Sequence, residues 1–151
     1  MRAVVQRVLE ASVMVDGVSV GQIDKGCLVF LAIEKGDGDD QLDKMVRKVA
    51  RLRIFPDDAG RMNLSVKEAG GALLVVSQFT LAADMKKGYR PSFGKAEQPE
   101  LAEEMVKRFC TIITDEEGIV VEQGQFGADM KVHLVNDGPV TIWLDFPPIS
   151  A

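Results

Sequence analysis

The stretch Cys27-Leu28-Val29-Phe30-Leu31-Ala32-Ile33 is a continuous apolar run that begins after Gly26 and ends before Gly36. An unbroken apolar run this short is typical of a strand that is buried on both faces. A second run, Leu73-Leu74-Val75-Val76, repeats the pattern further along the chain. The two runs therefore predict two buried β-strands, and hence a fold built on a β-sheet.

The segments around these strands predict a hairpin and two helices. Ala3 to Ile23 is rich in valine and contains Asp16-Gly17, a dipeptide that supplies both positive-φ positions of a type I′ hairpin turn. Asp39 to Leu52 has apolar residues at helical spacing and predicts an amphipathic helix. A second helix is predicted from Pro99, a good first-turn residue, to about Thr114.

Three further strands are predicted in the last third of the chain, at 119–122, 131–136 and 140–146, with the last two joined through Asp137-Gly138-Pro139. About seven strands and two helices, mostly with short connections, favour the α+β class. We expect a compact, barrel-like curved sheet with both helices packed against it. Residues 1–146 are predicted to form one domain, and 147–151 a short tail.

Composition and net charge argue against several classes of protein. The chain has 151 residues, of which 46% are apolar, and a formal net charge of −5. An acidic balance argues against a protein that coats nucleic acid nonspecifically, so any RNA contact must be local. Cys27 and Cys110 are predicted to be buried free thiols, which fits a reducing cytoplasm. Neither a secretory signal nor a transmembrane segment is evident.

Two clusters of basic residues stand out against this acidic average. One lies in the long predicted loop 82–98 and consists of Lys86, Lys87, Arg90 and Lys95. The other lies on the predicted first helix and consists of Lys44, Arg47, Lys48 and Arg51. Asp40 and Asp43 precede two of these helix cations by four residues, a spacing that favours ion pairs. The helix cluster is interpreted as a solvated surface and the loop cluster as the sharper candidate for a substrate contact.

The sequence offers little material for the usual catalytic machineries. His133 is the single histidine and lies in an alternating strand segment, where a structural role is the usual one. Ser77 does not lie in a G-x-S-x-G elbow. The acidic residues show no metal-ligand spacing, so no metal and no cofactor are predicted.

Two polar segments remain. Ser77-Gln78-Phe79-Thr80 places three hydrogen-bonding side chains at the end of an apolar strand, and Asn136-Asp137-Gly138-Pro139 lies between two predicted strands. Taken singly, the first is consistent with an ordinary strand terminus and the second with a turn.

Taken together, the two segments resemble the signature motifs of the D-aminoacyl-tRNA deacylase family, in the same order. Supporting resemblances lie around them, in Val5-Gln6-Arg7-Val8, Met62-Asn63-Leu64-Ser65, Lys87-Gly88-Tyr89-Arg90-Pro91-Ser92-Phe93 and Phe126-Gly127-Ala128-Asp129-Met130. The similarity extends over residues 1 to 146. It implies a cytoplasmic hydrolase that cleaves the ester between a D-amino acid and the 3′-terminal adenosine of tRNA, a chirality-proofreading step in translation.

The resemblance also implies how the substrate is selected. Members of the family act as homodimers with each active site at the subunit interface, and the Gly138-Pro139 bond is expected to be cis and to enter the partner subunit's pocket. Its backbone carbonyls would receive the substrate α-amino group and exclude an L side chain. Arg7 is expected to orient this motif, with Asn136 beside it and Met130 lining the pocket. Glycine would escape exclusion, so glycine mischarged on alanine tRNA is an expected substrate.

For the chemical step, the resemblance implies catalysis assisted by the RNA. The neighbouring 2′-hydroxyl of the terminal ribose can help to activate water, so no side-chain triad is needed. Backbone amides around Gln78 and Phe79, next to Ser77, are expected to hold the ester and its developing oxyanion. Thr80 is expected to position the substrate and not to act as a nucleophile. The expected tRNA contacts are Lys86, Lys87 and Arg90.

Two alternatives stay open at this stage. One is a related editor with a trans Gly138-Pro139 bond, which would admit mischarged L-aminoacyl-tRNA. The other is a nucleic-acid-binding module without turnover, against which the acidic balance counts. DNA is not an expected partner, and a generic esterase is the weakest reading because the usual nucleophile arrangements are missing.

Overall fold

The structure is a computed structural model that describes residues 1–149. The chain opens with the predicted hairpin, formed by β1 (Arg2–Val15) and β2 (Val18–Ile23). Asp16 and Gly17 adopt φ values of 49° and 78°, which fit the two positive-φ positions of the turn.

The two apolar runs form neighbouring parallel strands at the centre of the sheet, β3 (Gly26–Ala32) and β6 (Ala72–Ser77). Nearly all of their side chains are buried, as an unbroken apolar pattern predicts. The strands approach closely at their start, where a Cβ built on Gly26 would lie 1.8 Å from the Ala72 carbonyl oxygen. A side chain at this position would push the two strands apart.

Both predicted helices are present. The first, α1 (Asp39–Arg51), buries the apolar stripe that its spacing predicts. The second, α2 (Pro99–Ile112), begins at the proline and ends two residues before the predicted boundary. A wider π-helical turn, Ile113–Glu117, continues it, and Gly118 at φ 65° ends that turn.

Two short strands were not predicted. They are β4 (Phe55–Pro56) and β5 (Met62–Leu64), which pair with each other outside the main sheet. They are too short to carry a visible alternation of apolar and polar residues. Asp57 in the connecting turn accepts hydrogen bonds from the N–H groups of Ala59 and Arg61, and these hydrogen bonds lower the pKa of its carboxyl group.

The last third of the chain differs from the prediction. The expected strand at 119–122 is β7 (Val121–Gln123). The two strands expected at 131–136 and 140–146 are one strand, β8 (Lys131–Asp145), which pairs antiparallel with β1 along almost its whole length. The prediction of two strands was wrong because the Gly-Pro pair does not turn the chain back.

The main sheet has the order β2-β1-β3-β6-β7, with β8 paired to β1. Its two ends curve toward each other until a Cβ on Gly21 of β2 would lie 2.4 Å from the Gln123 carbonyl oxygen of β7. The sheet is therefore a nearly closed barrel with two helices packed against it, which confirms the predicted α+β class.

Buried side chains form two clusters. The larger lies between the sheet and the helices and is centred on Phe109, Leu42 and Met45. The smaller is enclosed by the curved sheet and includes Val8 and Leu74. No helix within residues 1–149 is long and apolar enough to cross a membrane. The predicted tail 147–151 is described only as far as Ile149, and its last two residues lie outside the described part.

Candidate active site

The Ser77-Gln78-Phe79-Thr80 segment leaves the carboxyl end of β6 and enters a single 3₁₀ turn over residues 79–82. The Gln78 N–H donates to the carbonyl oxygen of Leu31 at 2.8 Å. A 3₁₀ turn supplies no acceptor for its own first N–H groups. Among the described residues the N–H groups of Phe79 and Thr80 donate no hydrogen bond. Of the amides expected to hold the substrate, that of Gln78 is thus already used by the sheet.

Among the described residues, no base lies beside the Thr80 hydroxyl. Thr80 is exposed, and its Oγ1 accepts a hydrogen bond from Nε2 of Gln78. In the described part of the chain this is the hydroxyl's one hydrogen bond. His133 lies elsewhere, on β8 opposite Ser12 of β1. A threonine nucleophile needs an adjacent base, and this geometry does not supply one.

A small apolar cavity of about 280 Å³ lies against Gln78 and Phe79. It is walled by the end of β3, by one face of α2 and by a loop segment before β8. The apolar side chains that line it are Leu31, Ile33, Phe79, Ala96, Pro99, Ala102, Val106 and Phe126. A cavity just under the usual size of a small-molecule site suits one amino acid or one buried side chain.

The loop 83–98 is fixed at its base and exposed at its tip. Asp84 and Ser92 exchange two backbone hydrogen bonds, at 2.7 and 3.0 Å. Phe93 packs edge-on against Phe79 with 5.0 Å between the ring centroids. The side chain of Tyr89 at the tip is fully exposed. The predicted tRNA contacts lie on the same exposed tip, and they are Lys86, Lys87 and Arg90.

The second motif forms a bulge in β8. On β1, Arg7 lies alone between the two residues that pair with Asn136 and Thr141. Four residues of β8, Asp137–Val140, therefore face one residue of β1 and project from the sheet. The Gly138–Pro139 peptide bond is cis, and both residues are exposed.

Two side chains hold this bulge in place. Nε of Arg7 donates to the Asp137 carbonyl oxygen at 3.2 Å, and Nη1 donates to the Ile54 carbonyl oxygen at 2.7 Å. Nδ2 of Asn136 donates across the bulge to the carbonyl oxygens of Arg7 and Val140, at 2.9 and 3.0 Å. The bulge is thus tied to both β1 and the chain before β4.

Gly138 is closely surrounded within the bulge. Its φ of 121° lies in a region that residues with side chains rarely adopt. A Cβ at this position would lie 2.9 Å from Nη2 of Arg7 and 2.9 Å from Cγ2 of Val140. Only glycine fits the observed backbone here.

Within one chain the two motifs lie far apart. Two residues of β1 mark the positions of the motifs along the sheet. Ala3 pairs with Leu31, which pairs with Ser77, whereas Arg7, four residues further along β1, faces the Gly138 bulge. Four residues along a strand cover about 13 Å, and three strand spacings from β8 to β6 add about 14 Å across. The separation along the sheet is therefore roughly 19 Å. One subunit does not bring the two motifs together.

The remaining predicted residue, Met130, packs against the smaller core cluster. Its Sδ would lie 2.8 Å from a Cβ on Gly124, and it does not line the cavity at Phe79. Sequence reasoning missed Ile54, which acts through its backbone carbonyl and so leaves no side-chain signal. It also gave no role to Phe126, although the Phe126-Gly127 segment was part of the resemblance.

Electrostatics exclude the two thiols as nucleophiles. Burial raises the pKa of Cys27 from 9.0 to about 12, an effect that the nearby charge of Arg7 only partly offsets. Burial alone raises the pKa of Cys110 to about 12. Both are buried free thiols, as predicted, and at neutral pH neither forms the reactive thiolate.

Sequence comparison with known proteins identifies the family of the chain. The family model described as D-Tyr-tRNA(Tyr) deacylase matches residues 4–145. A protein of Magnetococcus marinus named D-aminoacyl-tRNA deacylase is 66% identical over 148 residues, with 98% of each chain covered. A protein of the same name from Ruegeria pomeroyi is 56% identical over 145 residues, covering 96% of this chain and 99% of its own.

Two solved structures share the fold of the chain. One entitled c-Myc DNA Unwinding Element Binding Protein superposes with a TM-score of 0.91 at 41% identity, covering 97% of this chain and 99% of its own. A probable eukaryotic D-amino acid tRNA deacylase superposes with a TM-score of 0.81 at 19% identity, covering 96% and 98%, and at that identity it supports the fold alone. Both motifs fall inside the matched range, and the chain belongs to the D-Tyr-tRNA(Tyr) deacylase family.

Proposed function

We propose that this protein is a hydrolase that cleaves the ester bond between a D-amino acid and the 3′-terminal adenosine of tRNA, as a proofreading step in translation. The observation that carries the proposal is the family match over residues 4–145, which includes both motifs, together with 66% identity to a D-aminoacyl-tRNA deacylase. The proposal assigns the chemistry to the Phe79 end of β6 and the selection of chirality to the Gly138 bulge.

Selection rests on backbone groups in this proposal. The carbonyl oxygens of the Gly138-Pro139 bulge accept hydrogen bonds from the substrate α-amino group, and an L side chain collides with the same backbone. Support comes from the exposure of both residues and from the hydrogen bonds of Arg7 and Asn136, which hold the bulge rigid. Rigid polar groups on a fixed scaffold discriminate by shape, so the identity of the D side chain matters little.

The site is completed by a second copy of the chain. Ser77 and the Gly138 bulge lie roughly 19 Å apart along the sheet, which is too far for one amino acid to touch both motifs in a single subunit. Exposed apolar side chains flank the bulge along β1 and β8: Leu9, Val135 and Trp143 are 55%, 44% and 51% exposed. A homodimer that covers them would bring the bulge of one subunit to the Phe79 end of the other.

The chemical step needs no side-chain nucleophile. Water attacks the ester carbonyl carbon, the oxyanion forms, and its collapse releases the amino acid and the ribose hydroxyl. The free N–H groups of Phe79 and Thr80 are the donors best suited to stabilise the oxyanion, since Gln78 donates its N–H to the sheet. The neighbouring 2′-hydroxyl of the RNA takes part in activating the water, which fits a Thr80 hydroxyl without an adjacent base.

Glycine has no side chain to collide with the bulge, so glycine mischarged on alanine tRNA is a substrate as well. Release of glycine from that tRNA, with L-alanyl-tRNA left intact, is the expected result. Equal inertness toward both esters would remove glycine from the proposal without affecting D-amino acids.

A matched pair of glycine variants tests the selection. Gly138→Ala places a methyl group 2.9 Å from two atoms at a positive φ. Gly60→Ala adds the same methyl group at φ 79°, where no atom of residues 1–149 lies within 4 Å. We expect Gly138→Ala to lose deacylation of D-tyrosyl-tRNA and Gly60→Ala to retain it. A Gly138→Ala protein as active and as selective as wild type would contradict the role of the bulge.

A subunit-mixing experiment tests the shared site. Phe79→Pro removes one proposed oxyanion donor at a position where a helical turn tolerates proline, and Phe79→Ala is its control because it keeps the N–H. If sites form between subunits, Gly138→Ala and Phe79→Pro chains mixed in equal amounts give hybrid dimers with one intact site, about a quarter of wild-type activity. Sites within single subunits would give no recovery on mixing.

A nucleic-acid-binding module without turnover is the second candidate, and one observation favours it: the 41% identical solved structure is entitled a DNA unwinding element binding protein. An editor of mischarged L-aminoacyl-tRNA is the third. The rates of cleavage of D- and L-aminoacyl-tRNA distinguish the three candidates. The proposed deacylase cleaves the D ester, an L-editor cleaves the L ester, and a binding module cleaves neither.

A further inference from the structure

A groove of about 510 Å³ lies between the exposed face of α1 and the end of β8. It is lined by five cationic side chains, and these are Lys44, Arg47, Lys48, Arg51 and Arg53. Its two apolar lining residues are Leu52 and Phe146. In a chain with a formal net charge of −5, five cations around one groove form a local charge of the opposite sign.

The helix geometry places these cations in a row. Positions 44, 47, 48 and 51 are separated by three or four residues and therefore share one face, opposite the buried stripe of α1. At 1.5 Å per residue, the row from Lys44 to Arg51 is about 10 Å long. A linear row of cations of this length suits successive phosphates of a polynucleotide strand better than a single small anion.

Most of this charge is not neutralised by the protein. The spacing of Asp40 and Asp43 favoured ion pairs with Lys44 and Arg47, but among residues 1–149 neither pair is formed, and Lys48 is also without an acidic partner. Arg51 pairs with Glu117 at 3.0 Å. The face is solvated, as interpreted from the sequence, but the ion pairs that the spacing favours are not formed, so these three cations are available to a ligand.

The fifth cation connects the groove to the bulge. Arg53 donates through Nε to the carbonyl oxygen of Asn63 at 2.9 Å, so this hydrogen-bond partner is neutral. The next residue, Ile54, accepts the hydrogen bond from Arg7, and Arg7 donates to Asp137 at the start of the bulge. The row of cations thus ends next to the element that is proposed to receive the aminoacyl group.

We propose that the α1 groove binds backbone phosphates of the tRNA whose aminoacyl end lies at the Gly138 bulge. This inference rests on the proposed function for the identity of the RNA. A lipid surface fits the groove less well, because its cations are accompanied by only two apolar side chains and α1 buries the rest of its apolar face in the core. The shape of the groove and its position beside the bulge favour RNA.

The test compares two triple variants of equal charge. One removes the unpaired cations of the groove, Lys44→Gln/Arg47→Gln/Lys48→Gln. The control removes three exposed cations elsewhere, Lys25→Gln/Lys107→Gln/Lys131→Gln. Both lower the net charge by three, so any general loss of attraction is the same in the two proteins. Circular dichroism and thermal melting establish that both are folded.

Binding of uncharged tyrosine tRNA is measured over a series of salt concentrations. At about 0.15 M salt each lost phosphate contact costs about 5-fold, so three contacts cost about 100-fold, and the slope of log K against log salt falls by about 2 to 3. We expect less than about 3-fold from the control, since exposed charges that do not contact a phosphate are largely screened by salt. Equal losses in the two variants would overturn the inference.

A kinetic ratio separates this inference from the proposed function. For each protein, kcat/KM toward D-tyrosyl-tRNA is divided by kcat/KM toward the D-tyrosyl ester of adenosine, which is too short to reach the groove. The ratio should fall for the groove variant and hold for the control. A wild-type protein that cleaves neither ester would refute the proposed function, while the binding series would still decide whether the groove holds RNA.

Discussion

Replacement of Arg7 tests whether the bulge is held as the structure indicates. Arg7→Met removes the guanidinium and keeps an unbranched apolar stem. The lost hydrogen bonds run from a charged donor to the carbonyl oxygens of Asp137 and Ile54, and the Arg7 side chain is only 12% exposed. At about 1.5–3 kcal/mol for each such bond, and with water able to reach part of the site, we expect the free energy of unfolding to fall by about 3 kcal/mol.

The ion pair with Asp137 adds little to this figure, because that carboxylate is 41% exposed and its interaction with Arg7 is screened by water. For a chain of this length, about 3 kcal/mol lowers the melting temperature by about 6–12 °C. Arg7→Lys is the control: it keeps the charge, but a single ammonium group cannot donate to both carbonyls as the guanidinium does. We expect roughly half the loss of stability.

The assay combines urea unfolding with deacylation of D-tyrosyl-tRNA at a temperature where each variant is folded. Because the bulge loses a fixed orientation, kcat/KM should fall further than stability alone explains. An Arg7→Met protein with wild-type stability and wild-type kcat/KM would refute the reasoning. So would an Arg7→Lys protein as stable and as active as wild type, since one ammonium group would then replace the two donors of the guanidinium.

Three further outcomes are expected. Gly26→Ala should destabilise the protein by more than about 4 kcal/mol in a urea titration, because its Cβ would lie 1.8 Å from a backbone oxygen of β6. Gly17→Ala should cost about 1 kcal/mol in the same titration, because no atom in the described part of the chain lies within 4 Å of its Cβ. Thr80→Ala should retain kcat/KM within about 5-fold, whereas loss of a true nucleophile would cost about 10⁴-fold or more. The pKa of about 12 for Cys27 and Cys110 predicts two thiols that resist labelling at pH 8 until the chain is unfolded. Since each folded pKa lies above the unfolded value of 9.0, their contribution to stability is complete below pH 9 and is lost as the pH rises toward 12; a stability that stays constant over that range would contradict the burial of the thiols.

Much of the fold follows from local sequence patterns. Asp16-Gly17 specifies its turn through its own backbone preferences, and the two apolar runs have the length and composition typical of strands buried on both faces. The helices follow from periodicity and from Pro99. In each of these cases, the information lies within a window of about ten residues, which is the range that periodicity covers.

The errors arise where distant residues decide the local structure. Gly138-Pro139 has the composition of a turn, yet the pairing of β1 with both sides keeps β8 continuous and makes the pair a bulge. The short strands β4 and β5 exist through pairing with each other and have too few residues to show a pattern. Neither feature has a signal within its own segment.

The candidate site also contains groups that the sequence predicts and groups that it does not. The side chains of Arg7 and Asn136 could be named from the sequence because their types and positions match the family. Their partners could not, since Ile54 contributes a carbonyl oxygen and Phe79 an N–H group, which every residue except proline possesses. The separation of the two motifs within one chain is a property of strand order, and it became visible only with the sheet.

The most direct test of the central claim is the rate at which purified protein releases tyrosine from D-tyrosyl-tRNA and from L-tyrosyl-tRNA, measured side by side in a metal chelator. The account predicts rapid release from the D ester, release from the L ester at the uncatalysed rate, and no effect of the chelator. Release of both esters at the uncatalysed rate would contradict the proposed deacylase, and release of the L ester alone would reverse the proposed selection at the Gly138 bulge.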